Sequence, residues 1–214
     1  MLYIAHGFAI EQLAETLTQW LTPAERTQVQ SYTSQARQVQ YQVGRGLLRW
    51  LACRVNDVAP DAVAISRQSN GAPCLTIANV EVACSISHKT DAVMVAFGDV
   101  EALGVDIELM QARKRQAELV NEFSDGFMQH VKVEDLKTFY QRWTLAEAVT
   151  KAQQGKLLAT LREAFGSYAE SGLFHTEQQH MLCCYSVSPT AAQWWRVTTT
   201  ATQTLASELV LETN

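Results

Sequence analysis

The chain has 214 residues, 47% of them hydrophobic and 18% charged, with a formal net charge of −5. That length holds one large domain or two small ones, and that composition forms a packed core rather than a disordered chain. The acidic balance speaks against general nucleic-acid binding. Five cysteines without framework spacing speak against a disulfide scaffold and for a reducing compartment. Adjacent Cys183 and Cys184 read as buried thiols. No apolar run reaches the ~18 residues of a membrane span, and Met1–Gly7 lacks a basic stretch of the signal-peptide kind. The expected location is cytoplasmic, with no membrane partner.

Taken in chain order, Leu2 to Ala5 reads as a short strand and Ile10 to Leu21 as a helix. Thr22-Pro23 supplies an N-cap and first helical position for the next helix. From Gln35 to Val55, Val39, Val43, Leu47, Leu48, Leu51 and Val55 recur at helical spacing. Gly44 and Gly46 each weaken that helix by about 1 kcal/mol; a glycine there either lets something approach closely or serves packing. Runs at Ala62–Ser66, Cys74–Ile77, Val82–Ser87, Val93–Phe97 and Leu103–Ile107 predict a sheet, with Asn70-Gly71 as a turn. Helices at Gln116–His130 and Val133–Gln153 follow, then strands near Ser167–Phe174, Met181–Ser186 and Trp194–Thr200. Helix-then-sheet twice over predicts an α+β fold of two similar halves, residues 1–102 and 103–214. The stretch from Thr198 to Asn214 carries no functional reading.

The chemistry concentrates in two segments. Asp106 and Glu108 sit two apart in the apolar run from Ala102 to Ile107, so period-two alternation points both carboxylates to one side of a strand. Trp143, Glu147 and Lys151 recur every four residues and form one stripe on a helix. Where that stripe meets the strand end, Asp106, Glu108 and Glu147 make an all-oxygen cage of the kind that suits Mg²⁺. The plain alternative for Glu147 and Lys151 is an i,i+4 surface ion pair worth about 0.3–0.5 kcal/mol. His6, His130, His175 and His180 show no ligand spacing, and the last two read as loop residues. Arg113-Lys114-Arg115 is a dense basic cluster, either a solvated loop or a docking patch.

Together the two segments resemble the 4′-phosphopantetheinyl transferases of the Sfp type. That family carries G-[IV]-D-x-E and, some forty residues later, W-[ST]-x-K-E-[AS]-x-x-K. Here Gly104 to Glu108 and Trp143 to Lys151 match, with 147 − 106 = 41 residues between the acids. Gly44 to Arg49 resembles the family's early helix segment, Ser69 to Leu75 its G-K-P turn, and Ser85 to Asp91 its N-[IL]-S-H-S segment. The departures are Ala72 and Ala146, each standing where the family has a lysine. Glu25, Arg26 and Gln28 stand where some relatives have lysines.

The resemblance implies a pseudo-two-fold arrangement of the halves, with coenzyme A in the cleft between them. It implies Mg²⁺-dependent transfer of the 4′-phosphopantetheine arm from coenzyme A to a serine of an acyl, peptidyl or polyketide carrier protein, releasing 3′,5′-ADP. In that reading Asp106, Glu108 and Glu147 hold the metal, and Glu147 and Lys151 are catalytic. Arg45, Ser87, His88 and Lys151 contact coenzyme A, and the enzyme is a monomer. The alternative is a non-catalytic relative that binds coenzyme A or a carrier but has lost the cations at Ala72 and Ala146. A metal-dependent phosphohydrolase is a more distant third.

Overall fold

The computed structural model describes residues 1–188 and 190–200 and the backbone of 208–213. Residues 201–207 and 214, within the stretch without a functional reading, lie outside the described residues. In chain order the strands are β1 (Leu2–Phe8), β2 (Val63–Arg67), β3 (Pro73–Ile77), β4 (Val80–Lys89), β5 (Ala92–Gly98), β6 (Leu103–Leu109), β7 (Gly172–Glu177), β8 (His180–Ser186), β9 (Ala192–Thr200) and β10 (Glu208–Thr213). The helices are α1 (Ile10–Leu17), α2 (Pro23–Ser31), α3 (Gln35–Asn56), α4 (Gln116–Glu122), α5 (Leu136–Gln153) and α6 (Leu157–Thr160).

Among the described residues the strands form two unequal sheets. One has seven strands in the order β10-β9-β1-β5-β4-β3-β2, and the other three in the order β6-β8-β7. Pairing is antiparallel except between β1 and β9, which run parallel. The fold is mixed α/β, as expected. β9 and β10 follow residue 103 in the chain yet complete the sheet begun by β1.

Three apolar layers fix this stacking. Leu13, Leu17, Val43, Leu47 and Leu51 pack α1 and α3 on one face of the large sheet. Leu2, Ile4, Met94, Val105, Ile107 and Leu182 fill the space between the sheets. Phe139, Tyr140, Leu145, Val149 and Cys183 join α5 to the outer face of the small sheet. Alternation along β1 and β6 sends one set of side chains into the middle layer and the other set outward, as the strand period requires. Cys183 and Cys184 are buried thiols; burial pushes Cys184 up to about 12.

α2 begins as its sequence predicts. Thr22 is the N-cap of a capping box with Glu25, and Pro23 follows it. Glu25 has a second duty, accepting from Arg49 Nη1 at 2.7 Å and Nη2 at 3.0 Å. Arg49 also donates to the carbonyls of Trp20 and Val63, so a buried cation is fully paired and ties α2 to α3. Burial alone would raise the Glu25 carboxyl, but the hydrogen bonds from Arg49 and Thr22 outweigh it and hold the group below its ordinary value. Gly44 accounts for close packing on α3: a Cβ there would lie 2.9 Å from Ile86 Cγ2 on β4.

Three expectations change. The helix predicted over Gln116–His130 is helical only to Glu122. Ser124-Asp125-Gly126 turns the chain so that Phe127 N–H reaches the Leu161 carbonyl, and a Cβ on Gly126 would come 2.3 Å from that same oxygen. The strand expected near Ser167–Phe174 starts later, at Gly172, after two short 3₁₀ turns. His175 and His180 lie in strands rather than loops, flanking a two-residue hairpin in which Gln178 and Gln179 take positive φ (45° and 62°). Hairpin turns of that hand favour Asn or Gly, and the sequence offers neither.

Candidate active site

Gly104 determines how α5 meets β6. A Cβ there would lie 1.9 Å from the Ala148 carbonyl oxygen, a contact no side chain tolerates. Only glycine lets the helix rest on the strand at this crossing. One consequence is that Glu147 and Lys151 on α5 come over Asp106 and Glu108, which share the outward face of β6 with Gly104.

Lys151 makes no ion pair with Glu147. Its Nζ donates instead to Asp106 Oδ1 at 2.8 Å, the Val105 carbonyl at 2.9 Å and Ser87 Oγ at 3.0 Å. Ser87 Oγ in turn donates to Asp106 Oδ1 at 2.9 Å. Neighbouring Ser85 accepts the Val105 N–H, so β4 is stitched to β6 by two serines on one face. Glu108 sits between two cations. Arg113 Nη2 donates to Oε1 at 3.2 Å, and Lys89 Nζ lies 2.8 Å from Oε2. Arg113 Cζ lies over the Trp143 ring, 4.4 Å from its centroid, and beside Tyr140. One member of the basic cluster therefore turns inward, while Arg115 pairs with Glu118 on the surface.

Two buried oxygens in this cluster, Asp106 Oδ2 and Glu108 Oε2, accept no hydrogen bond among the described residues. Lys89 is close enough to Glu108 Oε2 for an ion pair but is not aligned as a hydrogen-bond donor. Burial, then the charge of Asp106, pushes the Glu147 carboxyl above its ordinary value, while Lys151 pulls the other way. The buried Asp106 Oδ2 without a donor, with Glu108 and Glu147 beside it, is the feature of this cluster that suits a hard divalent cation.

β4 carries the site onward. Ser85 and Ser87 face β6, whereas Ile86 and His88 face α3. On that side a cavity of about 140 Å³ is lined by Arg37, Tyr41, Arg45, Arg67 and His88, with no carboxylate in its wall. Arg45 is 5% exposed and donates to the Ser66 carbonyl at 2.9 Å. Burial, reinforced by Arg37, holds His88 below its ordinary value. Arg37 Nη1 donates to His88 Nε2 at 3.4 Å, which leaves the imidazole proton on Nδ1.

Two cavities of about 360 Å³ each are both lined by Ala72, Pro73, Cys84, Lys151 and Gln154; one reaches Gly71 and Ile86 beside the cation pocket, and the other runs to Glu81 and Glu101. Asn70 and Gln68 on the β2–β3 hairpin bridge to Gln154, the C-cap of α5, at 2.6 and 3.0 Å. Of the two alanines that stand for lysines, Ala72 lines these cavities. Ala146 is 0% exposed, inside the apolar layer behind α5.

A second cluster escaped the sequence reading. His6, His175 and Glu177 bring their donor atoms within 4.8 Å of one another, the only such His/Cys/Asp/Glu trio among the described residues. Its protons argue against a metal. Trp194 Nε1–H donates to His6 Nδ1 at 3.0 Å, so neutral His6 carries its proton on Nε2 and donates it to Glu177 at 2.7 Å. A metal-ligating histidine needs an acceptor behind it, not a donor. Arg196 also occupies Glu177 Oε1 at 3.0 Å.

The predicted residues thus fall into two groups. Ser87, Asp106 and Lys151 are joined by hydrogen bonds, with Glu108 and Glu147 near them although the three carboxylates do not bring oxygens within 4.8 Å of one another, and Arg45 and His88 form a separate pocket on the other face of β4. Lys89, Arg113, Arg37 and Arg67 complete these groups. No helix among the described residues is long and apolar enough to cross a membrane. No curated protein matches the chain. Residues 10–99, which carry the cation pocket and the Ser87–His88 strand, match the family model described as 4′-phosphopantetheinyl transferase, N-terminal, and that segment is therefore similar to the 4′-phosphopantetheinyl transferase superfamily.

Proposed function

We propose that this protein is an Sfp-type phosphopantetheinyl transferase, a holo-carrier-protein synthase. It moves the 4′-phosphopantetheine arm of coenzyme A onto a serine of an acyl, peptidyl or polyketide carrier protein. The observation that carries the reading is the buried Asp106 Oδ2, which has no donor, in a carboxylate cluster one strand away from an arginine-lined pocket. A molecule with a pyrophosphate at one end and a further phosphate at the other suits that arrangement. The match over residues 10–99 supports the same reading.

In the reaction the serine Oγ forms a bond to the pantetheine-side phosphorus, and the bond to the bridging oxygen of the pyrophosphate breaks. The carrier gains a phosphodiester and 3′,5′-ADP departs. Glu147, directly or through a water beside it, accepts the serine proton. Asp106, Glu108 and Glu147 are the residues that would hold Mg²⁺, which when bound offsets charge on the phosphate oxygens. Lys151 borders both cleft cavities and stabilises the charge of the departing phosphate. Arg45, Arg37, Arg67 and His88 anchor the distant phosphate by charge-assisted hydrogen bonds. Ser87 orients Asp106 and Lys151.

The test is intact-mass spectrometry of apo carrier proteins incubated with the protein, coenzyme A and Mg²⁺. The expected result is a gain of one phosphopantetheine arm that disappears without metal or with Asp106→Ala. Saturable coenzyme A binding with no mass gain on fatty-acid, polyketide or peptide carriers would favour the non-catalytic relative, a reading for which Ala72 in the cleft wall is the specific support.

A further inference from the structure

Each acidic ligand of β6 already has a resident cation. Asp106 is paired with Lys151, and Glu108 with Lys89 and Arg113. Three basic groups therefore face Asp106, Glu108 and Glu147, and a divalent cation entering alone would leave the cluster over-charged unless a base withdraws. The three bases are not equally held. Lys151 makes three hydrogen bonds, one of them to a backbone carbonyl. Arg113 is held over Trp143 and bonded to Glu108 Oε1. Lys89 has only its ion pair with Glu108 Oε2, without hydrogen-bond alignment, and its side chain is 36% exposed against 10% for Glu108. A lysine is a point charge on a flexible stem, whereas a guanidinium held over an aromatic ring and hydrogen-bonded to a carboxylate is the less free of the two.

We propose that Lys89 is an exchangeable counter-cation. It occupies the Glu108 Oε2 position in the metal-free protein, yields it to the divalent cation, and then turns to the phosphates that arrive with it. The inference rests on the carboxylate cluster being the metal site, and it adds a role for a residue that is neither ligand nor base. Its consequence is a coupling of the two ligands. Lys89 opposes binding of the metal alone and favours binding of the metal together with an anionic partner, so the site fills with both or with neither.

Mn²⁺ titrations followed by electron paramagnetic resonance, with and without coenzyme A, test this on wild type, Lys89→Met, Lys89→Arg and Asp106→Ala. Lys89→Met is expected to tighten Mn²⁺ alone by about tenfold and to weaken coenzyme A in the presence of Mn²⁺ by about tenfold, the size of one charge-assisted contact. Lys89→Arg should stay close to wild type in both. If Lys89→Met changes neither affinity, or moves both in the same direction, while Asp106→Ala abolishes Mn²⁺ binding, Lys89 has no exchange role and the metal site stands. If neither wild type nor Lys89→Met binds Mn²⁺ in a manner dependent on Asp106, the exchange and the metal reading fall together.

Discussion

Two carboxylate clusters lie on opposite margins of the small sheet, and their hydrogen bonding differs in kind. Glu177, at the end of β7, is saturated. His6 and His175 meet one oxygen and Arg196 the other, and Trp194 sets the His6 tautomer. The β6 cluster is left short of donors, with the buried Asp106 Oδ2 accepting nothing and Glu108 Oε2 met only by the ion pair with Lys89. By proximity alone the histidine cluster is the better metal site. By a count of protons it is a cross-link between sheets, and the β6 cluster, with Asp106 Oδ2 free of donors, is the better place for a cation. Where each donor's hydrogen goes separates the two better than distance does.

The sharpest way to break this contrast is Glu147→Gln. Transfer to a carrier serine should fall by ~10²–10⁴, the range for a lost general base, with an unchanged thermal midpoint. Unaltered turnover in the mass assay would remove Glu147 from the chemistry. Next in size is Gly104→Ala, whose Cβ has no space below α5. A loss of about 3 kcal/mol in denaturant unfolding is expected, together with lost activity, because the helix must lift off β6. Glu177→Ala should do the converse. Stability falls by about 2 kcal/mol as the buried His6 Nε2–H loses its acceptor, and transfer per folded molecule stays at the wild-type rate.

The smallest effect is a pH dependence. Burial holds His6 below its ordinary 6.5, although Glu177 pulls it upward. The unfolded chain takes up that proton at about pH 6.5 and the folded chain only at lower pH. The His6 contribution is therefore complete above pH 6.5 and declines as pH falls toward the folded value. Glu177 is held below its ordinary 4.5. Burial raises it but the His6 hydrogen bond and charge outweigh that, so its contribution fades only in more acid solution. The melting temperature of wild type should drop between pH 7 and pH 5, with a shallower slope in His6→Gln. Equal slopes would show that His6 is not the group responsible.

Much of the β6–α5 site was legible because it depends on two periodicities and one glycine. Alternation put Asp106 and Glu108 together, and the four-residue stripe put Glu147 and Lys151 on one face. The partners of those groups were not legible. Lys89 reaches Glu108 only because β4 crosses β6 through Ser85 and Ser87, a contact no local pattern encodes, and Arg113 reaches it because the chain after β6 folds back over Trp143. For the same reason the i,i+4 ion pair of Glu147 and Lys151 does not form, since a strand carbonyl and Asp106 compete for the ammonium and win. The histidine cluster draws on β1, β7 and β9, so its members lie too far apart in the chain for spacing to announce it. The hairpin at Gln178-Gln179 hid because its residues adopt positive φ without being the types that do so cheaply.

The parallel pairing of β1 with β9 joins Leu2 to Ala192 and His6 to Arg196. On the ribosome, chain made at about 5–20 residues per second leaves β1 with one edge unpaired for on the order of 10–40 seconds, until β9 emerges. An unpaired edge is a template for foreign strands, and non-local pairing of this reach slows folding. β1 is thus completed only after every strand from β2 to β8 has been made, and the newborn chain depends on whatever shields that edge in the interval.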